Sequence, residues 1–331
     1  MSGLLKKSLL GVIGITALLG AVTALRQKRA FEAPYPEICA STDPAVIERG
    51  RYLARGPAHC ADCHGAEGKT SPGQAASLSG GHEFRLPVGV FRVPNITPDP
   101  LTGTGRYSDR EIARMLRHGV RPDGTAMLPF MTFADLSDTD LTALISYLRS
   151  QEPVKHAVKP HEPNLLGRVA LAYMIEPQGP SQPSRKFVAP AASPEYGGYL
   201  ANSVANCVGC HTERDLKTGA FTGPRFGGGG IVDSHTDPSR KFVTPNLTPD
   251  GRWGWITNWS EDAFVHRLKA GKLYADSPMP WPSFEAMSDD DLRAVYRYLK
   301  TLPPAKSGPD PREAGSVRLN AEGPGARVST L

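Results

Sequence analysis

Cysteine is scarce, with five in 331 residues. Four fall in two Cys-x-x-Cys-His pentapeptides, Cys60-Ala61-Asp62-Cys63-His64 and Cys207-Val208-Gly209-Cys210-His211, leaving Cys39 alone. With those four committed elsewhere no internal disulfide can form, so the chain is not a disulfide-stapled scaffold. Cys39 follows Pro36-Glu37-Ile38, which is no lipid-attachment signal, and reads as a bystander. Acid is absent from residues 1–30, where Lys6, Lys7, Arg26, Lys28 and Arg29 supply the whole formal excess of +5. The remaining basic residues only balance the 33 acidic ones, so the body lacks the basic face that nucleic-acid binding needs. Long apolar runs are missing too, apart from the uncharged stretch Ser8–Leu25.

That stretch sits at the lower edge of the roughly 20 residues a spanning helix requires. It also exceeds the apolar core of a signal peptide, about 7–15 residues. Val22-Thr23-Ala24 would suit cleavage, but the cationic Arg26-Gln27-Lys28-Arg29 follows at once and disfavours it. Both flanks are basic, so charge does not orient the helix. The expectation is an uncleaved single-pass N-terminal anchor, with a removed signal peptide as the alternative.

Cys-x-x-Cys-His is the attachment signature of c-type haem. The thiols add to the two porphyrin vinyl groups, and the adjacent histidine lies under the iron as its proximal ligand. Zinc is the competing use of Cys-x-x-Cys, but compact zinc modules place the second pair about 15–20 residues after the first. Here a whole domain's length intervenes, and a histidine follows each pair. The reading is two covalent haem c groups, attached through Cys60, Cys63, Cys207 and Cys210, with His64 and His211 on the irons. Haem c attachment implies export, hence domains on the periplasmic side of a bacterial inner membrane, or a soluble periplasmic protein if the leader is cleaved.

The halves repeat more than this motif. Gly50-Arg51-Tyr52-Leu53-Ala54 precedes the first site and Gly197-Gly198-Tyr199-Leu200-Ala201 the second. Pro94-Asn95-Ile96-Thr97-Pro98-Asp99 answers to Pro245-Asn246-Leu247-Thr248-Pro249-Asp250, Tyr107-Ser108 to Trp259-Ser260, and the Ser137 helix start to that at Ser288. A shared order of landmarks marks a tandem duplication. Ser108 with Glu111 forms a capping box, and Leu141, Leu144, Ile145 and Leu148 recur at helical spacing, as do Leu292, Val295, Tyr296 and Leu299. The predicted fold is all-α, with haems wrapped by loops. The divisions are 1–30 (anchor helix and basic flank), 31–44 (juxtamembrane), 45–151 (domain 1), 152–192 (Pro-rich linker), 193–303 (domain 2) and 304–331 (extended or disordered tail). Asn164–Ile175 inside the linker reads as a short apolar helix packing across both domains.

Each iron has a second axial position, and methionine there makes an electron carrier. In the second repeat Met279 stands between prolines 278 and 280, which stiffen its loop; Met287 is better placed to pack. The first repeat offers Met127 and Met131. Spacing back from the helix cap favours Met127, while Met131 follows Phe130, a wall for a pocket. His118 and His266 read as solvated or propionate-facing rather than as ligands.

On both haem motifs, the Asn-x-Thr-Pro-Asp segments and the Leu/Met-Ser-Asp-x-Asp-Leu helices, the chain resembles bacterial di-haem class I cytochromes c. It is most similar to membrane-anchored members and to cytochrome subunits of periplasmic dehydrogenases. The likeness covers residues 45–303 and implies two tandem class I cytochrome c domains behind an N-terminal apolar helix. It favours Met131, the end of Leu128–Met131, as the first axial ligand. It also implies that Asn95, Tyr107, Asn246 and Trp259 contact the haem edge. The expected role is electron transfer rather than catalysis, from a dehydrogenase or quinol-linked donor to an oxidase or soluble cytochrome. The alternative is a di-haem peroxidase, which needs one iron that opens and distal acid/base groups.

Overall fold

The computed structural model describes residues 3–66, 76–129, 131, 133–215, 220–234, 240–274 and 276–308. Helix α1 (Gly3–Arg26) is followed by domain 1, built from α2 (Pro44–Arg55), α3 (Cys60–His64), strands β1 (Glu83–Leu86) and β2 (Gly89–Arg92), α4 (Asp109–His118) and α5 (Asp138–Ser150). The linker contributes β3 (Glu162–Pro163) and α6 (Leu165–Tyr173). Domain 2 comprises α7 (Pro194–Tyr199), α8 (Cys207–Cys210), β4 (Ile231–Asp233), β5 (Lys241–Val243), α9 (Glu261–Lys269), α10 (Trp281–Glu285) and α11 (Asp289–Thr301).

Helix starts follow the sequence signals. Ser108 and Glu111 make the full capping box of α4, and Ser137, Ser260 and Ser288 each accept from the third backbone N–H of the helix they open. In both domains the first helix crosses the last, α2 on α5 and α7 on α11. The crossings are so close that a β-carbon on Gly50 would lie 1.9 Å from the Ala143 carbonyl oxygen, and one on Gly197 1.8 Å from that of Ala294. Leu53, Leu141 and Ile145 fill the first crossing, and Leu200, Leu292 and Leu299 the second, in one continuous core.

The two domains meet face to face. Tyr52 donates to Asp291 (2.7 Å) and accepts from the Ser288 N–H (3.0 Å); Tyr199 donates to Asp140 (2.8 Å) and accepts from the Ser137 N–H (3.1 Å). Each tyrosine thus clasps the start of the other domain's last helix. The Tyr199 clasp adds an ion pair: Arg49 forms a bidentate pair with Asp140 (2.9 and 3.1 Å) and also reaches the Tyr196 hydroxyl.

Three expectations need correction. The fold is not purely helical: β1-β2-β3 forms a three-stranded antiparallel sheet and β4-β5 a two-stranded one. These strands are three or four residues long, or two for β3, and their Gly- and Pro-rich surroundings hide so short an alternation. The anchor expectation also falls. Helix α1 forms, yet among the described residues no helix is long and apolar enough to cross a membrane. The last turn of α1 engages protein, with Arg26 stacked 4.7 Å over the Tyr173 ring and bonded to the Ala172 carbonyl. Finally, α6 forms where expected but packs on α1 and β3 rather than across both domains. Elsewhere the linker lies along domain 1, where Glu162 and Pro163 pair with β2 and the Arg185 and Lys186 carbonyls accept from the start of α5, and at its end Ala192 O accepts from Arg297 of α11. The tail is docked as far as 308, and its remainder lies outside the described residues.

Candidate haem sites

Helix α3 places Cys60 and Cys63 one turn apart, with His64 at its end; α8 does the same for Cys207 and Cys210, with His211 just beyond. None of the four is in a disulfide. The residue before each helix is left-handed, His59 at φ 40° and Asn206 at φ 49°, which turns the entering chain sharply onto the motif. Burial pushes the Cys60 and Cys207 thiols up to about 12 and the Cys63 thiol up to about 11, so all three remain protonated at neutral pH. Among the described residues no three Cys, His, Asp or Glu side chains gather as a metal ligand set.

The histidines decide the fit to haem. His64 and His211 are 5% and 8% exposed. Each ring places Nδ1 at 2.9 Å from a backbone carbonyl, that of Pro94 for His64 and of Pro245 for His211. A carbonyl can only accept, so Nδ1 carries the hydrogen and Nε2 keeps its lone pair for a metal. Burial also holds both rings below the usual histidine range, favouring the neutral form a ligand needs. These residues fit haem c in both domains. The two proline carbonyls open the repeated Pro-Asn-x-Thr-Pro-Asp segments, and sequence reasoning missed their role. Its signal was the proline recurring at the same place in both repeats.

The asparagines of those segments turn out to be clamps. Asn95 Oδ1 accepts from the Thr97 N–H and hydroxyl, while its amide nitrogen donates to Val154 O (2.8 Å) and Thr102 Oγ1 (3.2 Å). Asn246 accepts from Thr248 in the same way and donates to Ala305 O (2.6 Å) and Ser307 O (3.0 Å). In each domain the asparagine amide thus straps down the chain that leaves the last helix, at Val154 in the first and at Ala305 and Ser307 in the second. Tyr107 and Trp259 are partly buried against the core, immediately ahead of the caps of α4 and α9.

Met131 and Met279 are partly buried and pack against the core. Met127 instead continues a bridge between Val120 and Ala126, its N–H bonded to Gly119 O at 2.7 Å. The flanking positions 130 and 132 lie outside the described residues. Met287 is 2% exposed and packs in the core, as its place before the α11 cap suggested. His266 is exposed on α9, and His235 lies outside the described residues.

Residues 45–148 match the family described as cytochrome c oxidase, cbb3-type, subunit III, and residues 199–303 the cytochrome c family. The cytochrome c subunit of a quinone-type alcohol dehydrogenase from Gluconacetobacter polyoxogenes is 32% identical over 291 residues, covering 79% of this chain and 57% of its own length. The gluconate 2-dehydrogenase cytochrome c subunit of Pantoea cypripedii is 31% identical, with 78% and 60% covered. A diheme cytochrome c-type protein of Cereibacter sphaeroides is 29% identical, with 74% and 82% covered. The chain thus spans well under two thirds of the length of the dehydrogenase subunits it matches.

Proposed function

The chain belongs to the di-haem class I cytochromes c and carries two covalent haem c groups, and from that premise we propose that it is the electron-transferring subunit of a bacterial periplasmic dehydrogenase complex. It takes single electrons from a dehydrogenase or quinol-linked donor and passes them to an oxidase or soluble cytochrome, without catalysing substrate chemistry itself. The observation that carries the proposal is one site built twice: a buried histidine, its Nδ1 fixed by a proline carbonyl, following two thiols on a short helix.

Haem c supplies a one-electron ferric–ferrous couple. Cys60 and Cys63, and Cys207 and Cys210, hold the two porphyrins by thioethers. His64 and His211 give the proximal nitrogens. Met131 and Met279 would each supply a thioether sulfur to an iron, which would raise its potential and leave no site for oxygen or peroxide. What supports Met131 over Met127 is its packing on the core, where Met127 is tied to the end of α4. The domains are residues 45–151 and 193–303, joined by the wrapped linker, and they work in the periplasm, where haem c is attached.

The test is the ferric spectrum of the full chain. A weak long-wavelength thioether-to-iron band accounting for both haems supports His/Met ligation. A high-spin haem that binds carbon monoxide or turns over peroxide refutes the carrier reading in favour of a peroxidase. Met131→Ala should halve the band and Met127→Ala should leave it intact.

A further inference from the structure

Domain 1 closes the outer edge of its hairpin with its own linker. Glu162 and Pro163 of β3 lie opposite Val90 and Gly89 of β2, and under that cover Phe91 and Arg92 are 5% and 9% exposed. Domain 2 builds the same hairpin, but among the described residues β5 has β4 as its only strand neighbour. Phe242 and Val243, which stand where Phe91 and Arg92 do, stay partly exposed. A bare strand edge is a template for another extended segment.

The chain leaving each domain starts on the same path. The Val154 N–H donates to the Thr97 hydroxyl (3.1 Å) and its carbonyl accepts from Asn95; the Ala305 N–H donates to Thr248 (3.0 Å) and its carbonyl accepts from Asn246. Two residues on, the His156 ring meets the Ser79 carbonyl at 2.9 Å, and the Ser307 hydroxyl donates to the Gly227 carbonyl at 3.0 Å. Ser79 and Gly227 each precede the glycine whose N–H bonds the carbonyl of the motif histidine. The sequences stay in step beyond this point. Pro153, Lys155, Pro160 and Glu162 recur as Pro304, Lys306, Pro311 and Glu313, every pair 151 residues apart. The same interval separates Asn95 from Asn246 and Val90 from Lys241.

We propose that tail residues 311–314 of the same chain supply the third strand of domain 2, pairing with the outer edge of β5 as residues 160–163 run along β2. In that register Glu313 lies across from Lys241 and Ala314 across from Arg240, as Glu162 and Pro163 lie across from Val90 and Gly89. A carboxylate directly opposite a cation favours the pairing; in domain 1 Glu162 meets its cation in Arg92, at 2.9 Å. Strand β5 leads two residues later to Pro245, whose carbonyl holds the His211 ring. The tail therefore braces the approach to the second histidine as the linker braces the approach to the first.

The experiment compares the full haem-loaded chain with one ending at Gly308, by hydrogen exchange of the peptide spanning 240–244. Exchange there should be about tenfold or more slower in the full chain. Equal exchange overturns the proposal, whether the edge is bare in both or covered by something else. Protection that fades on dilution also overturns it, because a second copy would then supply the strand. A cysteine pair fixes the register and decides alone if the shortened chain yields no haem protein. In a Cys39→Ser chain, Lys241→Cys with Glu313→Cys should close an intrachain disulfide on mild oxidation. Lys241→Cys with Arg312→Cys should not, since neighbouring strand residues point to opposite faces. Equal yields, or cross-links that join two chains on a non-reducing gel, refute the strand.

Discussion

Gly50 is where the first domain can be broken by a single methyl group. An added β-carbon would stand 1.9 Å from the Ala143 carbonyl oxygen, 2.5 Å from its carbon and 2.7 Å from Tyr147 Cβ. Ordinary contact between such atoms is about 3.5 Å, so α2 and α5 must part by roughly 1.5 Å. Two effects then oppose each other. Alanine is the better helix former by about 1 kcal/mol. Against this, overpacking costs typically about 1–3 kcal/mol, and more where backbone rather than a flexible side chain must yield. Parting the helices also loosens Leu53, Leu141 and Ile145, all fully buried in the crossing. The clash wins, and Gly50→Ala should lose about 2–4 kcal/mol net, a drop of about 5–15 °C in melting temperature for a body of this size. Thermal melts followed by far-ultraviolet circular dichroism at matched haem content would measure it. Gly251→Ala, with nothing within 4 Å of the added carbon, is the control and should stay near wild type. A Gly50→Ala protein melting at or above wild type would show that the crossing is not constrained as argued.

The two clasps should differ in strength. Tyr199→Phe leaves the fully buried Ser137 N–H without its partner and should cost about 1.5–3 kcal/mol in urea unfolding. Tyr52→Phe opens onto a cavity of about 440 Å³ lined by Arg49, Ser288 and Asp291; water can replace the hydroxyl there, and the cost should be about 1 kcal/mol. The reverse order would refute the assignment. Asp291 supplies a pH test. Burial raises its carboxyl above the usual value despite its bond from Tyr52 and the nearby Arg49, with Asp140 adding to the rise. A raised carboxyl contributes stability that is full below the unfolded value and lost as pH climbs through the folded one. Asp291→Asn should therefore gain on wild type as pH rises through that interval and level off above it; a melting-temperature difference independent of pH, or falling, would count against this.

Much of the site was legible because haem attachment demands fixed residues at fixed spacing. The duplicated pentapeptide, the serine caps and the paired helices all appear where local sequence requires them. What was not legible depends on contacts distant in sequence. The carbonyls of Pro94 and Pro245 are backbone groups and leave no side-chain signature, although they set the histidine tautomers. The strap from Asn95 to the Val154 carbonyl joins residues 59 apart in sequence and lies beyond any local window. The strands are too short to alternate visibly. The charge-free run Ser8–Leu25 suggested a span, while the stacking of Arg26 on Tyr173 could not be anticipated from either segment alone.

The domain interface was, in principle, open to sequence reasoning, and the reason lies in duplication itself. Tyr52 and Tyr199 occupy equivalent places in the two repeats, as do Ser137 with Ser288 and Asp140 with Asp291. When two copies of one surface meet about a two-fold axis, any residue that bonds across the axis bonds twice. A tyrosine on the first helix that reaches an aspartate on the last helix of the other copy is therefore satisfied in both directions at once, as the matched 2.7 and 2.8 Å bonds show. Symmetry ends where the repeats differ. Arg49 stands where the second repeat has Tyr196, so one cation serves the Asp140 clasp and Asp291 has none within bonding distance among the described residues. His59 against Asn206 is the second such difference, and it too lies on the interface. Substitutions between the repeats thus gather at their contact, and they break the two-fold match of the interface at Arg49/Tyr196 and at His59/Asn206.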